Sequence, residues 1–202
     1  DVAAYAARLA GSGIDDATVD VLEAQTAGNP FFLGELVRLL ASEKRLDAER
    51  AAEQVPSGVR DVVRRRLDRL PDDSQAVLRI AAVVGRTFGL DVLAASCELD
   101  IDALLDALEP PMIAGLVVEV GSGGEEFGFA HALVWSALAE DVPAPRRRRL
   151  HARVARAIEA VHSSDLDAMS TQLAFHYGEA AAIGDAAPAA EFAERAARRV
   201  AA

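Results

Sequence analysis

The sequence predicts a mainly α protein that carries one short β-hairpin. Three observations predict it. Apolar residues recur at helical spacing through most of the 202 residues. Glycine and proline fall where helices would start and stop. The one convincing β-branched run, Leu116-Val117-Val118-Glu119-Val120, is followed by a glycine turn and a returning segment.

Asp15 or Asp16 caps a first helix that runs to about Gln25, with Gly28 just past its end. Asn29 caps the next helix and Pro30 takes its first position, where a missing N–H costs nothing. Phe32, Leu36, Leu39 and Leu40 give that helix an apolar face. Residues 47–54 are polar and alanine-rich and read as a short helix or a connection. Pro56-Ser57 opens a helix with a stripe of Val59, Val62, Val63, Leu67 and Leu70. Pro71-Asp72-Asp73-Ser74 stops it and starts another, whose apolar positions are Val77, Leu78, Ile80, Ala81 and Val84, with Gly85 at its end. Two shorter helices follow, about Leu90–Cys97 and Asp102–Leu108. Pro110-Pro111 should interrupt the second, because proline lacks the N–H of the helical ladder. The hairpin comes next, with Gly121-Ser122-Gly123-Gly124 as its tip and Glu125–Phe129 as the return. Three helices and then a hairpin is the order of a winged-helix domain.

After the hairpin, Ala130–Glu140 reads as helix, and Pro143 and Pro145 mark a boundary. A helix from Arg146 to about His162 buries Leu150, Val154, Ile158 and Val161. Two more, about Leu166–Ala182 and Ala187–Ala201, form an antiparallel pair around Gly184-Asp185. Their small residues, Ala174, Ala180, Ala193, Ala196 and Ala197, resemble one unit of a tetratricopeptide (TPR-like) array; a stable array needs about three units.

Composition narrows the function classes. The apolar fraction of 51% is enough for a core, and aromatics are only 5%. The net charge of −11 argues against a general nucleic-acid or membrane-surface binder. Eleven acids face two arginines, Arg79 and Arg86, between residues 72 and 130, a local charge of −9. The helix that would enter a major groove, residues 102–109, carries Asp102, Asp106 and Glu109. Carboxylates there would repel phosphates, so DNA binding through this fragment is not expected. Cys97 is the single cysteine and cannot form an internal disulfide, which fits a cytoplasmic protein. No apolar run reaches the roughly 18 residues that span a bilayer, so no membrane partner is expected. The chain starts without methionine and in what reads as mid-helix, so it is expected to be a fragment of a longer protein.

Catalytic motifs are missing. No GxxxxGK[ST] loop occurs, and Lys44 is the only lysine. The glycines at 121–124 join two strands and precede Glu125-Glu126, so they make a hairpin tip and not a phosphate cradle. His131, His151, His162 and His176 are scattered along the sequence, which predicts no metal site. His151 and His162 flank an amphipathic helix and read as structural, and His176-Tyr177 reads as a helix–helix contact. His131 directly follows the second hairpin strand; on its own it is either a helix-start histidine or a ligand contact. Arg146-Arg147-Arg148-Arg149 begins a helix against its dipole and should meet acids or phosphate.

Three segments in order resemble a known family. They are Gly28-Asn29-Pro30-Phe31-Phe32-Leu33 with Glu35-Leu36; Val55-Pro56 with Arg65-Arg66-Leu67-Asp68-Arg69-Leu70-Pro71; and Phe129-Ala130-His131-Ala132-Leu133 with Arg147, Leu150 and His151. Over residues 15–180 the chain resembles the C-terminal half of STAND-class ATPases, most closely the large ATP-binding LuxR-type transcriptional regulators of bacteria. The resemblance implies a helical lid over residues 1–56, a winged-helix-like domain over 57–142, and the start of a TPR-like array over 143–202. It implies that Gly28 shapes the turn, that Asn29 and Pro30 lie against the nucleotide with Pro30 near the adenine, and that His131 reaches the β-phosphate of ADP. ATP or ADP would be bound only by the full-length protein, a slow ATPase, and no cofactor is expected in this fragment, which is no enzyme by itself. The implied partners are an upstream P-loop ATPase domain and downstream repeat or output domains of the same chain, and the class allows a homo-oligomer. The chain departs from the family where an arginine and a tyrosine usually follow the histidine, at Trp135 and Ala139, and at Pro110-Pro111. A DNA-binding winged-helix regulator and a protein-interaction scaffold without nucleotide are the rival readings.

Overall fold

The computed structural model describes residues 2–10, 14–26, 33–34, 37, 59–121, 123–183 and 186–200. The chain divides into two compact units, residues 1–69 and 70–202.

The first unit contains α1 (Val2–Ala10), α2 (Asp16–Thr26) and α3 (Val59–Leu67). Asp15 caps α2: its carboxylate accepts from the Thr18 amide at 2.8 Å and from the Thr18 hydroxyl at 3.0 Å. Those bonds hold its pKa below the ordinary carboxylate value. Ala6, Leu22, Leu33, Val37, Val63 and Leu67 are buried. The expected apolar positions Phe32, Leu36, Leu39 and Leu40 and the expected helix start at Pro56-Ser57 lie outside the described residues.

The second unit begins with α4 (Asp72–Val84), entered through Pro71 as its N-cap. The strand β1 (Thr87–Gly89), α5 (Leu90–Cys97), α6 (Ile101–Ile113), β2 (Val117–Glu119) and β3 (Glu126–Phe129) follow. The sheet order is β1-β3-β2, antiparallel throughout, with Phe88 opposite Phe127 and Val117 opposite Phe129. The hairpin β2–β3 matches the sequence expectation. The third strand, β1, was not expected: three residues carry too little alternation to be read as a strand, and only β3 beside it supplies the ladder.

Helix α6 corrects a second expectation. It starts one residue after the cap Asp100, whose side chain accepts from the Ala103 amide at 2.8 Å. It then runs straight through Pro110 and Pro111 to Ile113. Pro110 and Pro111 remove the N–H donors for the carbonyls of Asp106, an exposed residue, and Ala107, a buried one. Past the prolines, Gly115 adopts a left-handed φ of 65°, and Leu116 N–H donates to the Pro111 carbonyl while Gly115 N–H donates to that of Met112. That double closure is a Schellman cap.

The remaining helices are α7 (Ala132–Asp141), α8 (Ala144–Val161), α9 (Ser170–Ala180) and α10 (Ala186–Val200), with a short 3-10 turn at Ala181–Ile183. Helix α7 starts two residues later than expected and α9 four residues later, since the segment before α9 is occupied by turns closed by Asp165 and Asp167. Helix α4 packs on α6 and α7; α8 lies on α4 and α5, α9 on α8, and α10 on α9. Arg199 donates to the carbonyls of Asp167 and Ala168, so the end of α10 meets the chain just before α9 and the pair is antiparallel. One continuous core links these layers. It contains Val83 of α4, Val92 of α5, Leu150, Val154 and Ile158 of α8, Leu173 and Tyr177 of α9, and Phe192 of α10.

Among the described residues, no helix is long and apolar enough to cross a membrane.

Candidate functional site

Strand β3 aims the chain at His131. Phe127 and Phe129 point to one face, where Phe88 of β1 lies edge-on to Phe129 with centroids 5.6 Å apart. Between them Gly128 sits opposite Thr87 and Val118. The Phe129 amide donates to the Arg86 carbonyl at 3.0 Å, and the Ala130 amide to that of Leu116, also at 3.0 Å. The backbone is therefore pinned on both sides up to residue 130.

His131 is the next residue and the N-cap of α7, in an extended conformation (φ −143°, ψ 144°). Its carbonyl accepts from the amides of Val134 at 3.0 Å and Trp135 at 3.4 Å. Its side chain does not cap the helix and is exposed. Partial desolvation and then the charge of Arg86 lower its pKa below the ordinary histidine value. The site thus combines an imidazole neutral at pH 7, a nearby guanidinium, and the positive end of a ten-residue helix. Such a set suits an anion, although it directly follows residues 72–130, whose net charge is −9.

The other sequence-derived site residues, Gly28, Asn29 and Pro30, lie outside the described residues. No contact between them and His131 enters the site.

Trp135, one turn into α7, donates its indole N–H to the Ala82 carbonyl at 2.9 Å and ties α7 to α4. It lines a cavity of about 250 Å³ with Val84, Arg147, His151, Phe175 and Glu179. Ala139 lines the same cavity.

His151, which lines this cavity, belongs to a pair that sequence reading missed. His151 Nδ1 and His176 Nδ1 are 2.9 Å apart, and both residues are buried. The ring of Phe175 stands edge-on to both, at 5.5 and 5.2 Å. Burial lowers both pKa values, that of His176 to about 4. The two histidines are 25 residues apart on different helices, so spacing could not pair them. A usable signal was present: each sits on the apolar face of its helix, beside Leu150 and Val154 or beside Leu173 and Tyr177. Among the described residues no group of three or more histidines, cysteines or acids is arranged to hold a metal ion.

The arginine run is split by the helix. Arg147 turns inward, with Nη1 at 3.5 Å from the Ala139 carbonyl. Arg146, Arg148 and Arg149 are exposed. Further along, the half-buried Arg153 approaches the exposed Glu98 at 3.7 Å. On α6 the exposed side chains include Asp102, Asp106 and Glu109 beside Ile101 and Leu105. Burial pushes the Cys97 thiol up to about 11, which disfavours the nucleophilic thiolate.

Comparison of the chain with protein-family models, with curated proteins and with solved structures finds no match.

Proposed function

We propose that this chain is the sensor and relay part of a nucleotide-dependent signalling switch in a bacterial transcriptional regulator of the STAND class. The observation that carries the proposal is His131. It stands exposed at the start of α7, beside Arg86 and directly after a strand that pins its backbone. In this reading α4–α6 with the three-stranded sheet form the winged helix, and α8–α10 begin the helical array. Residues 1–56, with Gly28, Asn29 and Pro30, form the lid. The phosphate cradle and the slow ATPase chemistry belong to an upstream P-loop domain, and this piece catalyses nothing.

The residues present fit a diphosphate. A neutral imidazole donates one N–H to a phosphate oxygen, and the phosphate's charge in turn favours protonation of the ring. Arg86 and the helix dipole add to the attraction. His131 thus favours the closed, ADP-bound arrangement, and loss of its contact frees the lid and winged helix to move. A ligand shifts such an equilibrium only through contacts that differ between the two states, and one charge-assisted contact of ~1.5–3 kcal/mol gives roughly a 10- to 150-fold shift.

The rival DNA-binding reading requires α6 to meet phosphates. Its exposed Asp102, Asp106 and Glu109 oppose that.

The test is His131→Ala in the full-length protein. ADP retention after gel filtration should fall and basal output should rise. Unchanged ADP retention and unchanged output would remove the sensor role and leave the scaffold reading.

A further inference from the structure

The anion-facing site does not use the buried histidines, although they lie where α8 meets the last helical pair. We propose that the His151–His176 contact is a proton-operated clasp. It holds α9 and α10 on α8 while at most one of the two imidazoles is charged, and releases them when both take a proton. The inference rests on the α8–α9 contact and is independent of the nucleotide reading.

The geometry fixes how many protons the contact tolerates. With the Nδ1 atoms 2.9 Å apart, one nitrogen must donate and the other must offer its lone pair. The bond can form with either ring as the donor. A first proton, taken at Nε2 of the donor ring, keeps this bond, although burial opposes the charge. A second, on the acceptor's Nδ1, sets two N–H groups against each other, and the contact is lost.

The surroundings decide who takes the first proton. Glu179 of α9 favours charge on His151, and Arg147 of α8 opposes it. From α4 the neighbour is the Val84 backbone, and from α7 Trp135 and Ala139 line the adjoining cavity; none of these titrates. Phe175 shields both rings. Glu179 draws the first proton towards His151, and uptake by the pair as a whole, not by one ring, releases the contact.

The sign follows from linkage. Both rings have lowered pKa values when docked and the ordinary value of about 6.5 when released. Released helices bind more protons, so docking is fully favoured above about pH 6.5 and weakens as the pH falls towards the docked value of about 4 for His176. Each proton taken up in this window lowers the docking constant about tenfold per pH unit.

Histidine-ring NMR titration of the 202-residue chain tests the clasp. It is combined with hydrogen exchange and with thermal melts of wild type and of His151→Leu/His176→Leu between about pH 7.5 and 5. The expected result is two of the four histidines titrating in linked steps below the ordinary range. The amides of α9 and α10 should lose protection in acid before those of α4. The doubly substituted chain should lose far less melting temperature on acidification than wild type. Two rings titrating independently near about 6.5 would overturn the proposal. So would parallel acid sensitivity of the two proteins, or exchange rising in α4 together with α9. If the substituted chain does not fold, the titration and the exchange on wild type decide.

Discussion

At Gly128 the chain has no room for a methyl group. A Cβ there would lie 3.1 Å from Val120 Cγ2, 3.3 Å from Thr87 Cγ2 and 3.4 Å from the Arg86 carbonyl. Thr87 belongs to β1, while Arg86 and Val120 flank the strands, and the two methyl groups would have to give by a few tenths of an ångström. Gly128→Ala should therefore destabilise the protein by ~1–3 kcal/mol, as other overpacked sites do. Gly123→Ala, in the hairpin turn of the same sheet, has nothing within 4 Å and should change stability by less than ~0.5 kcal/mol. Urea denaturation of the two variants checks the contrast, and equal effects would refute it. The same residue scale shows what a sequence conceals. The place of His131 was legible because it follows a strand in chain order. The partnership of His151 with His176 was not, because helix packing alone sets it. The inward turn of Arg147 is a third case: all four arginines of the run look alike until α8 has a buried side.

At the scale of elements, most starts and stops were legible because capping is local. Asp15 bonding back to Thr18, Pro71 ahead of α4 and Pro143 ahead of α8 are decided within a few residues. Two elements escaped. Strand β1 exists only through its ladder with β3, which lies some forty positions away (Phe88 pairs with Phe127). Helix α6 passed through Pro110-Pro111 because burial of Pro111 and the Gly115 cap outweigh the lost hydrogen bonds. The compensation is incomplete, since Pro110 still leaves the Asp106 carbonyl without its helical donor. Pro110→Ala restores the N–H and helix propensity, worth up to ~3 kcal/mol, against ~0.4–1 kcal/mol of stiffening lost from the unfolded chain. The melting temperature should rise. A fall would mean that the proline ring, half-buried against the α4–α6 groove, contributes more by packing than it costs.

At the scale of the molecule, the stretch that carries His131 and the buried histidine pair is one unit and not two. Residues 70–202 are compact together. A boundary near residue 143, natural from the prolines, falls between α7 and α8, where the shared core runs straight across. Val83 and Val92 stand on one side of it; Leu150, Val154, Ile158, Leu173 and Phe192 stand on the other. Each fully buried side chain of this kind contributes ~1.5–3 kcal/mol, comparable in sum with the whole stability of a small domain. Residues 70–202 expressed alone should therefore unfold in a single cooperative transition. Residues 70–142, stripped of α8 and α9, should not fold cooperatively at all. Calorimetry and circular dichroism on the two pieces distinguish the outcomes: two separate transitions in the longer piece, or a cooperative one in the shorter, would break the argument. The consequence bears on any relay through this chain. A displacement that starts at His131 passes from α7 to α4, on which it packs, and from α4 through the continuous core to α8 and α9, so it reaches the helical pair as a movement of packed elements and not across a flexible joint.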